Sequence, residues 1–128
     1  MKMGLSRKIS RVKIRIDPLD KLFSEFIRKK ANGKCGKCGK FGRLEVSHFW
    51  GRARKSVRWD EDNVVALCFL CHRYFTANPY EHVIWFQGHL GMERFVSLRD
   101  RMMDMTRVDK EELLEHYKQK IKELGDRE

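Results

Sequence analysis

The sequence predicts an α+β chain: a small two-stranded core stapled by a four-cysteine metal site, with one helix before it and helices after it. Three observations predict this. Cys35, Cys38, Cys68 and Cys71 form two C-x2-C pairs with 29 residues between them. Between the pairs, short β-branched stretches flank a basic loop, whereas outside them the apolar residues recur at helical spacing. With 128 residues, 41% of them hydrophobic and 36% charged, the chain can build one small core, which a metal or disulfide staple would reinforce. The expected organisation is a basic arm with a short strand over 1–16, a core with its leading helix over 17–78, and a C-terminal helical extension over 79–128.

Residues 1–10 read as a basic arm, and Arg11 to Ile16 alternates basic residues with Val12, Ile14 and Ile16, a strand pattern. Asp17-Pro18 is a helix start, with Asp as N-cap and Pro in the first turn. Leu19, Leu22, Phe23, Phe26 and Ile27 follow at helical spacing, and Gly33 ends the helix. Leu44 to His48 reads as a strand with Val46 and His48 on one face. Gly51 to Arg58 is a basic loop and Asn63 to Leu67 a second strand. A short helix is expected from Phe69 to Ala77. Asn78-Pro79 opens another that runs towards Gly88, and Gly91 precedes a helix over 92–105. Asp109 with Glu112 resembles a capping box, and the last helix spaces Leu113, Leu114, Tyr117, Ile121 and Leu124 as an apolar stripe. Such a stripe belongs to the core in most helices, and docking of a second chain is its other use.

Two C-x2-C knuckles match a tetrahedral four-thiolate zinc site, closed to substrate and therefore structural. The glycines of Gly33-Lys34-Cys35-Gly36-Lys37-Cys38-Gly39 permit the tight turn, and its lysines balance thiolate charge. Cys68-Phe69-Leu70-Cys71-His72 also spells a c-type haem attachment pattern, but that reading leaves Cys35 and Cys38 without a role. A redox dithiol does not need the paired spacing.

Lys plus Arg is 28 against 18 acidic residues, a net charge of +10 and a pI near 9.7. The first 60 residues hold 18 basic and 5 acidic side chains, net +13, and the remainder is net −3. A positive half of this kind calls for a polyanionic partner, and nucleic acid fits better than a membrane surface, since no strongly amphipathic basic helix is present. No run of about 18 apolar residues occurs, so no membrane span is expected. The N-terminus lacks an apolar run of signal-peptide length, and a cytoplasmic protein is the expectation.

The chemistry-bearing residues lie between the knuckles. Phosphodiester hydrolysis needs a base near neutral pH, a divalent cation to neutralise the phosphate, and cationic side chains to hold it. His48, at the end of the first strand, can be the base. His72, directly after Cys71, can hold the cation. Asn63 can hydrogen-bond the loop or join the metal shell. Arg52, Arg54, Lys55 and Arg58 crowd the intervening loop and can clamp phosphates. Singly, each has a plain reading: a packed histidine, a residue beside a knuckle, a turn asparagine. Their joint spacing inside a four-thiolate frame is what points to catalysis.

The segment from Gly33 to Ala77 resembles the HNH nucleases, whose ββα-metal motif is built over a four-cysteine zinc site, with His48, Asn63 and His72 matching the three letters. Ser47-His48-Phe49-Trp50-Gly51-Arg52, Val57 to Val64 and Cys68 to Cys71 resemble the NinG-type phage recombination endonucleases more particularly, as does Lys13 to Phe23. The resemblance covers roughly Ile14 to Asn78. It implies His48 as general base, His72 as ligand of a catalytic Mg2+ or Mn2+, Asn63 as the residue ordering the loop, and the four cysteines as zinc ligands. It also implies products with 5′-phosphate and 3′-hydroxyl ends, and nicked or branched recombination DNA as substrate. Two departures stand out: Ser47 occupies the place of a common second metal ligand, and His72 stands where NinG-type proteins typically carry Asn.

The expectation is a metal-dependent DNA endonuclease. The alternatives are a non-catalytic zinc-ribbon DNA-binding module and a zinc-stapled adaptor that docks protein through its last helix. A junction substrate with two-fold symmetry would suit a homodimer.

Overall fold

The fold is that of a computed structural model, and residues 15–126 are the ones it describes. The basic arm and most of the expected first strand lie outside them. Helix α1 spans Pro18–Ala31. Its start is as the sequence dictates: Asp17 accepts from the Leu19 amide at 2.8 Å and Pro18 opens the first turn. It ends two residues before Gly33, because Asn32 takes the left-handed conformation, φ 53°, and Gly33 continues it.

Strands β1 (Glu45–His48) and β2 (Val64–Leu67) pair antiparallel, with Glu45 opposite Leu67 and His48 opposite Val64. β2 begins one residue later than the sequence pattern suggests. Asp60 caps a single 3-10 turn over Glu61–Asn63, and that turn takes Asn63 out of the strand. Helix α2 (Phe69–Ala77) follows β2 directly. The sheet is thus covered by α1 on one face and α2 on the other. Helices α3 (Pro79–Leu90), α4 (Met92–Met103) and α5 (Lys110–Asp126) complete the chain. Asp109 accepts from the Glu112 amide at 3.1 Å, so the expected cap of α5 is present. No helix among the described residues is long and apolar enough to cross a membrane.

The C-terminal helices are not an appendage. One apolar cluster runs from Leu19, Phe23 and Phe26 of α1 through β2 to Phe86, Leu98 and Tyr117. Phe49, just after β1, stacks on Phe86 with centroids 4.2 Å apart. Tyr117 packs edge-on against Phe23 at 4.9 Å and donates its hydroxyl to the Trp59 carbonyl at 2.6 Å. The stripe of α5 is therefore core: Leu113, Leu114, Ile121 and Leu124 pack with Tyr117 against the cluster. The helical extension over 79–128 thus shares one hydrophobic core with the residues before it.

Candidate functional site

The metal frame is built by main-chain hydrogen bonds. The first knuckle is a tight hairpin in which the Cys35 amide donates to Lys40 at 2.9 Å and the Gly39 amide to Cys35 at 3.0 Å, with Gly39 at φ 77°. It docks on β2 through the Gly36 amide, which donates to Ala66 at 2.9 Å. A Cβ at Gly36 would lie 2.5 Å from a Val65 methyl, so this docking requires glycine. Cys68 precedes α2 and Cys71 lies in its first turn. The four sulfurs all fall within 4.8 Å of one another, and among the described residues this is the only such group of candidate ligands.

The donor set fits a zinc ion. Burial disfavours the Cys35 thiolate, but amides of Cys38, Cys68 and Lys37 outweigh it and bring the thiol down to about 6. Cys71 is pushed up to about 12 by burial and by the neighbouring sulfurs. Four thiolates this close cannot ionise together without a cation to balance them, which is what a tetrahedral zinc supplies.

His48, at the end of β1, faces α1. Its ring lies 6.3 Å from that of Phe23, and Nε2 is 2.9 Å from the Arg58 carbonyl. A carbonyl only accepts, so Nε2 carries the proton and Nδ1 keeps its lone pair. Burial, partly offset by the Arg58 carbonyl and reinforced by the Arg52 charge, holds the imidazole below the ordinary histidine value. The side chain sits in a groove of about 550 Å³ between α1 and the basic loop. Arg15, Lys21, Arg28, Arg52 and Arg58 line the groove, with Asp17 and Asp20 as its acidic members.

Asn63 is fully buried and acts on the loop. Its Oδ1 accepts from the Trp50 amide at 2.8 Å, and its Nδ2 donates to the carbonyls of Trp50 and Val57, both at 3.0 Å. Its Oδ1 is engaged by the Trp50 amide and the side chain is fully buried, which fits loop ordering, one of the two roles open to it from sequence.

His72 lies elsewhere. Residues alternate along β1, so Glu45 and Ser47 face α2 while Val46 and His48 face α1. His72, on α2, meets Glu45: Nδ1 and Oε1 are 2.8 Å apart. His48, Asn63 and His72 therefore do not converge into one cluster. The sheet stands between the two histidines.

The loop cations are also divided. Arg52 and Arg58 line the His48 groove. Arg54 and Lys55 line a second cleft of about 540 Å³ with Arg107 and Lys110, on the side of the C-terminal helices, and Arg58 borders both clefts. The loop between is held from three directions. Asp20 receives Arg52 and Arg58, Ser56 donates to the Met102 carbonyl at 2.8 Å, and Arg101 of α4 reaches Asp60 at 2.7 Å.

Sequence reasoning missed Asp20, Glu45 and the α1 cations Lys21 and Arg28. Asp20 reads locally as a first-turn helix acid and Glu45 as a solvated strand residue. Their partners lie 27 to 39 residues away. His82 stacks on Phe75 at 4.6 Å and His89 on Trp85 at 4.6 Å.

A family model described as the bacteriophage lambda NinG protein matches residues 5–128. No curated protein and no solved structure matches the chain.

Proposed function

We propose that this chain, which belongs to the bacteriophage lambda NinG family, is a metal-dependent DNA endonuclease of the HNH type acting in phage recombination or DNA processing. The observation that carries the reading is His48: an imidazole held below the ordinary histidine value, its Nε2–H fixed on a carbonyl, in a groove lined by five cations. Arg52 and Arg58 would hold the scissile phosphate there. Nδ1 of His48 would take a proton from water as its oxygen attacks phosphorus. The bond from phosphorus to O3′ then breaks, leaving 5′-phosphate and 3′-hydroxyl ends.

The Glu45–His72 pair supports a divalent-cation ligand. A histidine that binds metal commonly gives its other ring N–H to a carboxylate, which fixes its tautomer. Glu45 does this for Nδ1 of His72, leaving Nε2 as the ligand atom. When bound there, magnesium or manganese would neutralise charge on a DNA phosphate at the α2 face, across the sheet from the phosphate held at His48. Ser47, 5% exposed, offers little as a second ligand, so water and DNA phosphate would complete the shell.

One observation favours the second reading, a zinc-stapled DNA-binding module without cleavage: His48 and His72 face opposite sides of the sheet. A supercoiled-plasmid nicking assay separates the two. Nicking with Mg2+ or Mn2+ that EDTA stops and His48→Ala abolishes supports the nuclease. Absence of nicking on plasmid and branched DNA, with salt-sensitive binding unchanged in His48→Ala, supports the binding module.

A further inference from the structure

We propose that Asp20 is a positioning residue for cleavage, fixing through Arg58 both the phosphate-facing guanidinium pair and the His48 imidazole; the inference rests on the nuclease reading above.

Asp20 sits in the first turn of α1, yet its carboxylate serves the loop 30 to 40 residues on. Oδ1 accepts from Arg58 Nε at 3.0 Å and from Trp59 Nε1 at 2.8 Å. Oδ2 accepts from Arg58 Nη2 and from Arg52 Nη2, the latter at 2.6 Å. Arg58 is thus gripped by two nitrogens, a two-pronged contact with a defined plane. The main chain of the same residue receives the proton of His48 Nε2. Asp20, Arg58 and His48 form one chain of contacts, in which a carboxylate on α1 sets the carbonyl that sets the base.

Two facts argue that Asp20 stays when DNA arrives. Its side chain is only 11% exposed, and burial works against its charge, but the donors from Arg58, Trp59 and Arg52 outweigh burial and keep its carboxyl below the usual range. A phosphate that displaced it would strip Trp59 Nε1 of its acceptor, an expensive loss for a partly buried donor. Arg52 is more than half exposed, so its remaining N–H groups face solvent and are available to a phosphate. Asp20 presents the arginines; it does not compete for them.

The charges around His48 give a signature. Asp20 of α1 raises its proton affinity, and Arg52 and Arg58 of the loop lower it. Lys21, Arg28, Arg15 and Asp17 face the same groove. Loss of the Asp20 charge therefore moves the acid limb of the cleavage profile to lower pH, whereas a purely structural role would scale the rate without moving it.

The test uses the zinc-loaded full chain as wild type, Asp20→Asn, Asp20→Glu and Arg58→Lys. Plasmid nicking is followed across pH, and the imidazole nitrogens of His48 are read by NMR. For Asp20→Asn the expected result is a kcat lower by about tenfold or more, KM changed by less than roughly threefold, and an acid limb at lower pH. The Nε2–H tautomer preference is also expected to weaken, with partial rescue in Asp20→Glu. If Asp20→Asn does not retain zinc, Arg58→Lys, which keeps the charge but not the two-pronged contact, must show the same loss of kcat and of tautomer preference, with the acid limb unmoved because Asp20 keeps its charge. An unchanged kcat, pH limb and tautomer overturn the inference and leave the nuclease reading standing. Faster cleavage with tighter DNA binding in Asp20→Asn also overturns it, making Asp20 a competitor of phosphate. If wild type does not nick but the tautomer preference falls in Asp20→Asn, the nuclease reading fails and the fixing of His48 by Asp20 stands. If neither is seen, both fail.

Discussion

His48 donates its Nε2–H to the main-chain oxygen of Arg58 at 2.9 Å, so the base candidate is held by the backbone of a residue whose side chain faces the same groove. Burial keeps the ring neutral below the ordinary histidine value of about 6.5. The expected pH–rate profile of nicking therefore rises through a midpoint below that value and is flat above it. The sign for stability is the same. The native state binds fewer protons than the unfolded chain, so His48 contributes stability above the unfolded value, lost as pH falls through the folded one. Nicking rates over pH 5–8 check the first, and an acid limb at or above the ordinary value contradicts it.

Asn63→Ala should cost about 2–4 kcal/mol, because it strands the Trp50 amide and two carbonyls in a buried place. Urea unfolding of the zinc-loaded protein measures it. A loss under about 1 kcal/mol would mean that the loop finds other partners.

Gly36→Ala forces a Cβ to within 2.5 Å of Val65, and the knuckle must shift off β2. About 1–3 kcal/mol of stability is expected to go, with weaker zinc retention. Gly51→Ala is the control, since nothing lies within 4 Å of its Cβ position. Equal melting temperatures for the two variants would refute the docking argument.

Removing zinc with a chelator, or Cys35→Ser, should unfold the two-knuckle core, since four converging thiolates without a cation repel one another. Elemental analysis and circular dichroism together read this out. A folded protein without zinc contradicts it.

If DNA lies in the His48 groove, Arg52→Ala should lower the magnitude of the salt slope of DNA binding by about one. Arg54→Ala, in the second cleft, should do so only when DNA also reaches the C-terminal side. Titrations at several salt concentrations distinguish one contacted cleft from two.

What could be read from sequence was local. Asp17-Pro18 wrote the start of α1, the C-x2-C spacing wrote the convergence of the sulfurs, and alternation wrote Val46 and His48 onto one face. Which helix would cover that face is not local information. It decided that His48 and His72 lie on opposite faces of the sheet. Asp20 and Glu45 were illegible for the same reason. A lone acid acquires its role from partners brought by the tertiary fold, and its neighbours in sequence carry no trace of them. An apolar stripe does not state what it packs on; α5 packs on α1.

Asn63 hydrogen-bonds the loop through main-chain atoms of Trp50 and Val57. Arg52 and Ser56 add side-chain ties to Asp20 and to the Met102 carbonyl, whereas Arg54 and Lys55, between them, carry none of these holds. A library that randomises Arg54 and Lys55 would alter what the surface presents while preserving the scaffold that presents it, which makes this stretch the natural place to retarget the protein.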